Sequence, residues 1–280
     1  MRIRAPRFAM PQGSCDTHCH VWGPLARFPY AADRPYDPPE RDAATLAALH
    51  ARLGIDRTVI VQAIVYRTDN AAMLDAIAAA PKHRRGIALI DDATTDAMLE
   101  RLHAGGVRGI RFGFVRHLGS RPDLAFFHRC VARVAPLGWH VLVHLDAADL
   151  EQLGPELRGL AVPFVIDHMG RIDAAAGTEQ PAFWRLLELA RAEHCWIKVS
   201  GADRVSASGA PFIDAAPFAR ALIETAPERV LWGTDFPHPN PRHLVVEDAD
   251  LIDLLPRFGD DAALQRLLVD NPARLYGWSV

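Results

Sequence analysis

His18 and His20 stand two residues apart in the stretch Ser14-Cys15-Asp16-Thr17-His18-Cys19-His20. On a β-strand, residues i and i+2 share a face, so the two imidazoles would project together beyond the strand's end. A pair placed this way can bind a metal ion, polarise a carbonyl or carry a proton. Cys19 would face the other way and is read as packing. The pair alone is a weak signal. Its meaning depends on which other polar groups the fold delivers to the same point.

The rest of the chain alternates short apolar runs with helical patterns. After His20 comes a loop rich in proline and aromatic residues, Val21 to Pro39, holding Phe28-Pro29-Tyr30 and Arg34-Pro35-Tyr36. At about 20 residues it exceeds ordinary connections, which marks it as a functional loop. A helix is expected over Asp42–Leu53 and a β-branched strand over Arg57–Gln62. Residues 69–80 read as a helix with Asp69 as N-cap. Further strands are expected at Gly86–Ile90, Val107–Phe112, Trp139–His144, Val162–Asp167, Cys195–Val199 and Val230–Gly233. The intervening helices fall at Thr95–Ala104, Leu124–Ala135, within Ala147–Leu160, at Pro181–Glu193 and at Pro211–Thr225, with helical stretches near Ala249–Leu255 and Asp261–Leu268 after the last strand. The strands are continuous apolar runs, as expected when both faces are buried. Eight βα units over residues 1–280, with no repeat or interdomain linker, predict one α/β domain, a (β/α)8 TIM barrel. A doubly wound open sheet is the alternative.

A barrel of this kind builds its active site at the C-terminal ends of the strands. Those ends carry His18 and His20 after the first strand, Gln62 after the second, Arg111 at the fourth, His144 at the fifth, His168 after the sixth and Asp235 after the eighth. Lys198 and Arg204 lie at or after the seventh. Singly, each has an ordinary structural explanation: a core histidine, a surface arginine, a turn-capping aspartate. Lys198 in particular reads as an outward-facing charge. Together, four histidines and an aspartate placed where apolar runs stop predict a polar catalytic centre.

Composition narrows the class. Half of the 280 residues are hydrophobic and the formal net charge is −3, with charges mixed along the chain. There is no basic stripe for nucleic acid and no polybasic membrane patch. No run approaches the roughly 18 apolar residues of a membrane span, and the N-terminus lacks the apolar core of a signal peptide. Cys15, Cys19, Cys130 and Cys195 form no CxxC pair, which suits a reduced cytoplasmic setting. The partner expected is a small molecule, and the oligomeric state a monomer or homodimer.

The segment Asp16-Thr17-His18-Cys19-His20-Val21-Trp22-Gly23-Pro24 resembles the opening motif of the amidohydrolase superfamily, in the branch of the 2-pyrone-4,6-dicarboxylate lactonases and related sugar-acid lactonases. The resemblance continues through Gln62 with Thr68-Asp69-Asn70, Arg108-Gly109-Ile110-Arg111-Phe112 and Asp167-His168-Met169-Gly170-Arg171. It extends to Lys198-Val199-Ser200-Gly201-Ala202, Arg204, Trp232 to Asn240, and Asn271 to Tyr276. It spans almost the whole chain and implies a (β/α)8 hydrolase that opens a lactone ring.

Lactone hydrolysis needs an activated water, a polarised carbonyl and a proton for the departing oxygen. Asp235 is the candidate general base, and His18, His20 and His168 are candidate donors to the developing oxyanion. A carboxylated substrate calls for fixed guanidinium groups, which favours Arg111 and Arg204. Tyr36 could close over the substrate, with Thr68, Asn70, His238 and Asn240 as hydrogen-bonding groups at the rim. Two departures from the lactonases bear on the substrate. Their second arginine has no clear counterpart, the nearest residue being Arg116, and Tyr66-Arg67 replaces smaller residues. Where those metal-free enzymes carry a tyrosine, the fifth strand here ends in His144. By resemblance to other amidohydrolases, His18, His20, His144 and Asp235 would form a mononuclear site for Zn2+ or Mn2+. The expected cofactor is therefore either none or one such ion. A lactone isomerase acting on a sugar acid and a metal-dependent decarboxylase of the same superfamily are the competing activities.

Overall fold

The computed structural model describes residues 4–115, 122–239 and 246–279; Arg116 and Asn240 lie outside them. Eight parallel strands follow one another in chain order: β1 Cys15–Cys19, β2 Arg57–Val61, β3 Arg84–Ala88, β4 Val107–Gly113, β5 His140–His144, β6 Phe164–Ile166, β7 Cys195–Lys198 and β8 Val230–Leu231. Spatial order equal to chain order removes the doubly wound alternative, whose strand order must reverse at a switch point. The sheet curls until β1 meets the segment after β8. There Thr17 N donates to Trp232 O (3.0 Å), Asp235 N to His18 O (2.7 Å) and His20 N to Phe236 O (2.8 Å). The architecture is the expected (β/α)8 barrel.

Helices α1 Ala43–Leu53, α2 Ala71–Ala78, α3 Asp96–Ala104, α4 Leu124–Val134, α5 Leu150–Arg158 and α6 Pro181–Ala190 follow β1 to β6 in turn. The short α7 Ala202–Val205 and α8 Ala216–Thr225 follow β7, and α9 Asp248–Asp253, α10 Asp261–Gln265 and α11 Asn271–Tyr276 follow β8. Their starts obey local chemistry. Asp42, Thr95, Asp123 and Asp260 each accept a backbone N–H of the first turn through the side chain, as N-caps do. Asp69 differs from its expected role: Asn70 is the residue at the cap of α2, while Asp69 accepts from Ala71 N just before the helix. The expected helix over Pro211–Thr225 begins only at Ala216, because Phe212 sits at φ 61° and a 3-10 turn intervenes.

Period-two alternation sorts the strand residues into two layers. Cys15, Val59, Val61, Ile87, Leu142, Val165, Trp196 and Leu231 fill the barrel interior, with Tyr276 of α11 as the plug at one end. Their neighbours, Ile60, Ile110, Phe112, Val141, Val143 and Ile197 among them, pack outward against the helices. Cys19 belongs to the outer layer, as read from the sequence. Burial on both sides is what makes the strands uniformly apolar. Among the described residues no helix is long and apolar enough to cross a membrane.

Candidate active site

The C-terminal ends of the strands surround a cleft lined by His20, Tyr36, Arg111, His144, His168, Arg204 and Asp235, with Ala63, Ile64 and Pro239. His18 lies fully buried beneath it. Asp235 is the centre of the group. Its Oδ1 is 3.4 Å from His20 Nε2, 3.7 Å from His18 Nε2 and 3.9 Å from His168 Nε2. Its Oδ2 receives Arg204, whose Nε lies at 2.7 Å and whose second nitrogen closes on the same oxygen. Asp235 and His168 both hold φ in the left-handed region, at 61° and 52°, a backbone cost of about 1–3 kcal/mol that functional sites often carry. His238 N donates to Asp235 O (2.7 Å) and fixes that turn. His168 packs against Gly201, where any Cβ would fall 2.8 Å from that of His168 and φ is +71°.

A second carboxylate sits one layer down. Asp167 is fully buried, with Oδ1 3.2 Å from His18 Nδ1 and 3.3 Å from Lys198 Nζ, and Oδ2 accepting from Arg111 Nε at 3.1 Å. Lys198, expected to face outward, is instead fully buried, and its Nζ lies 3.0 Å from His18 Nδ1. Trp196, two residues earlier on β7, points into the barrel, and parity carries Lys198 inward with it. Because every residue from Cys195 to Ile197 is apolar, composition alone does not show which parity faces inward. Asp167 follows β6 within a motif singled out for His168, and its own pairing with Lys198 and Arg111 was not foreseen.

These surroundings set the charges. Burial pushes the Asp235 carboxyl up, but the Arg204 guanidinium, the largest opposing influence, holds it well below the usual carboxylate range. Asp167 is likewise held low, with Lys198, His18 and Arg111 prevailing over burial. Burial, reinforced by Lys198, lowers His18 to about 3 against the pull of Asp167. Burial also lowers His144 and His168 far below the usual imidazole value. At neutral pH the centre is therefore two carboxylates, neutral imidazoles at His18, His144 and His168, and the guanidiniums of Arg111 and Arg204, while burial lowers the Lys198 ammonium against the pull of Asp167.

The remaining candidates divide. Tyr36 reaches the cleft because the long loop is tied down across the barrel mouth: Trp22 and Arg41 exchange two backbone bonds of 2.7 Å, and Gly23 N donates to Tyr66 Oη. Tyr66 and Arg67 thus act on the loop and are not among the cleft-lining residues. Thr68, Asn70 and His238 are absent from the lining as well. Asn70 bonds Thr68 O, Leu89 O and Leu89 N, Thr68 Oγ1 faces Asp91, and His238 Nε2 is 3.0 Å from Asp248. Gln62 spends its amide on Asp69 O and Arg67 O. His144 lines the cleft beside His168, their ring centroids 5.6 Å apart.

Ligand atoms of His18, His20 and Asp235 lie within 4.8 Å of one another. His20 Nδ1 is 2.8 Å from Val61 O; a carbonyl only accepts, so this nitrogen carries a proton, and in that tautomer Nε2 bears a lone pair. That lone pair faces Asp235 Oδ1, another acceptor, and Oδ1 and His18 Nε2 are both buried without a hydrogen-bond partner. Two nitrogens and an oxygen so oriented suit a divalent ion such as Zn2+ with an open position. The proton on His18 selects between two uses. With Lys198 donating to Nδ1, Nε2–H is a donor; with Nδ1–H turned to Asp167, Nε2 is a ligand. Three of the four residues expected to hold the ion fall within this group, and the fourth, His144, lines the same cleft.

The fold is that of a (β/α)8 barrel with a polar centre at its C-terminal face, and residues 15–278 match the amidohydrolase family model: the chain belongs to that family. It lies in the lactonase branch and is an enzyme. A 2-pyrone-4,6-dicarboxylate hydrolase of Comamonas testosteroni is 41% identical over 97% of this chain and 92% of its own length. A 4-sulfomuconolactone hydrolase of Rhizobium radiobacter is 44% identical over 96% and 92%. A D-galactarolactone isomerase of Agrobacterium fabrum is 31% identical over 97% and 94%. The crystal structure of a probable 2-pyrone-4,6-dicarboxylic acid hydrolase from Acinetobacter baumannii, with citric acid bound, superposes with a TM-score of 0.84 at 29% identity, over 95% of this chain and all of that one.

Proposed function

We propose that the protein hydrolyses the ring ester of a lactone bearing a further anionic group. One observation carries the reading: a buried carboxylate, Asp235, has one oxygen neutralised by Arg204 and the other free of hydrogen bonds among three imidazoles. It sits in a cleft whose lining sets two guanidiniums against a single carboxylate. The lining's net positive charge suits an anionic substrate, and relatives named for a dicarboxylate and a sulfonated lactone agree with this.

Asp235 Oδ1 takes the proton of a water whose oxygen bonds to the lactone carbonyl carbon. The carbonyl oxygen becomes an oxyanion, met by Nε2–H of His18 and His168. His20, whose proton is on Nδ1, offers an acceptor and orients the water. The ring C–O bond then breaks, and the proton held by Asp235 passes to the departing ring oxygen. Arg111, braced by Asp167, receives the second anionic group, and Tyr36 covers it. His18, His20 and Asp235 would hold a divalent ion, which when bound would lower the pKa of a bound water to about 7.

The test is a panel of lactones with and without a second anionic group, followed by acid release. Selective turnover of the anionic members supports the reading, and no release from any of them overturns it. The isomerase relative gives a second reading, in which a substrate hydroxyl takes the place of water; NMR of a lactone consumed without acid release identifies that outcome.

A further inference from the structure

β1 carries an extra residue. Asp16 is opposite Thr58 and Cys19 opposite Ile60, three steps along β1 against two along β2. Accordingly Cys15 packs inside the barrel and Cys19, four residues on, packs outside, which unbroken alternation would forbid. A bulge leaves an amide without its ladder partner. Here that amide, His18 N, donates to Asp16 Oδ1 at 3.0 Å. The same carboxylate crosses the seam of the barrel: Oδ1 also accepts from Thr234 N (3.1 Å), and Oδ2 from Thr234 Oγ1 (2.6 Å). The fourth donor comes from outside the barrel. His50 of α1, itself buried, places Nε2 3.0 Å from Asp16 Oδ2 and Nδ1 3.0 Å from Thr58 Oγ1. With Nε2–H donating, the ring is held at both ends.

The seam is tight enough to require Gly233, because a Cβ there would fall 2.6 Å from His18 N and 2.8 Å from Asp16 Oδ1. Thr234 immediately precedes Asp235, whose own amide donates to His18 O. One carboxylate thus sets the backbone of both His18 and the residue before Asp235, while neither Asp16 nor His50 lines the cleft.

We infer that Asp16 and His50 form a positioning couple, through which an outer helix holds the two sides of the active site, His18 and Asp235, in register. The inference rests on the proposed role of those two residues. Catalytic groups must be held to within about 0.5 Å, and outer partners of this sort are commonly worth about 10- to 100-fold in activity.

The experiment compares full-length wild type, His50→Leu, His50→Gln and Asp16→Asn. It measures kcat and KM on the lactone the wild type uses best and amide hydrogen exchange in the folded state. In His50→Leu, kcat falls about tenfold while KM stays within about twofold, and His50→Gln, which restores a donor at the same reach, recovers most of the loss. The amides of His18 and Thr234 exchange faster in His50→Leu, while strand amides away from the seam keep their protection. A His50→Leu kcat within about twofold of wild type overturns the couple. So does a fall matching only the loss of folded protein, without recovery in His50→Gln. If Asp16→Asn does not fold, the His50 variants decide. If the wild type turns over no lactone, the functional reading fails by itself, and unchanged exchange at His18 and Thr234 is then what overturns the couple.

Discussion

Arg204 places two donors on one oxygen of Asp235, Oδ2, and leaves Oδ1 to the histidines. The guanidinium keeps the carboxylate ionised in a buried site and fixes which oxygen faces the three imidazoles. Arg204, expected as a substrate-binding group, thus spends its fork on the candidate base, although it also lines the cleft.

Asp235→Asn keeps the shape of the side chain and removes its capacity to take a proton. We expect kcat on the best lactone to fall by about 10²-fold or more. Turnover near the wild-type rate would remove Asp235 from the role of base.

The Arg204–Asp235 pair makes a pH prediction with a definite sign. Burial favours the protonated Asp235 carboxyl and Arg204 is the first of the groups opposing it. In Arg204→Gln the carboxyl titrates at higher pH. If Asp235 acts as the proposed base, the carboxylate is the active form and the acid limb of kcat/KM moves upward. A pH profile of kcat/KM checks this, and an unmoved acid limb contradicts it.

Arg111 is braced by Asp167 at 3.1 Å and lines the cleft. Arg111→Met should chiefly raise KM for anionic lactones, by removing a charge-assisted pair. Esterifying the substrate's carboxylate should cost the wild type a comparable amount and the variant little. If the variant binds acid and ester as the wild type does, Arg111 is structural.

Metal content decides which use of His18 operates. If His18, His20 and Asp235 hold an ion, protein purified without added metal carries about one divalent equivalent, and chelation abolishes activity until the ion is restored. Elemental analysis paired with assays before and after chelation makes the measurement. Full activity in a demonstrably metal-free sample leaves Asp235 acting on free water, with His18 and His168 as donors.

Away from the site, Asp214 accepts from the hydroxyls of Ser206 and Ser208 and the amides of Ala207 and Ser208. Burial raises its carboxyl, but these bonds prevail and hold it to about 2. A depressed folded-state pKa contributes stability that is present above the unfolded value of about 3.9 and is lost as pH falls through about 2. Asp214→Asn should therefore flatten the acid slope of stability between those values. Denaturant midpoints across that range test it, and an unchanged slope would show that the loop's bonds are not coupled to folding.

Much of the barrel is local, and so was legible in the chain itself. Apolar runs of strand length located all eight strands, and the polar residues at or just after their ends placed His18, His20, Arg111, His168 and Asp235 at one end of the barrel. Hydrogen bonding within a few residues set some helix starts, as at Asp42, Thr95 and Asp123. The pairings were decided by tertiary structure, because they join residues far apart in the chain. Asp167 meets Lys198 and Arg111 across three strands, and Arg204 meets Asp235 across the β7–β8 connection. Lys198 turned inward by the parity of an all-apolar strand, a choice that composition leaves open until the barrel closes. The reversal of face between Cys15 and Cys19 was equally out of reach of alternation: a bulge needs a partner for its exposed amide, and Asp16, which supplies it, is itself bound by Thr234 and His50 from distant parts of the chain.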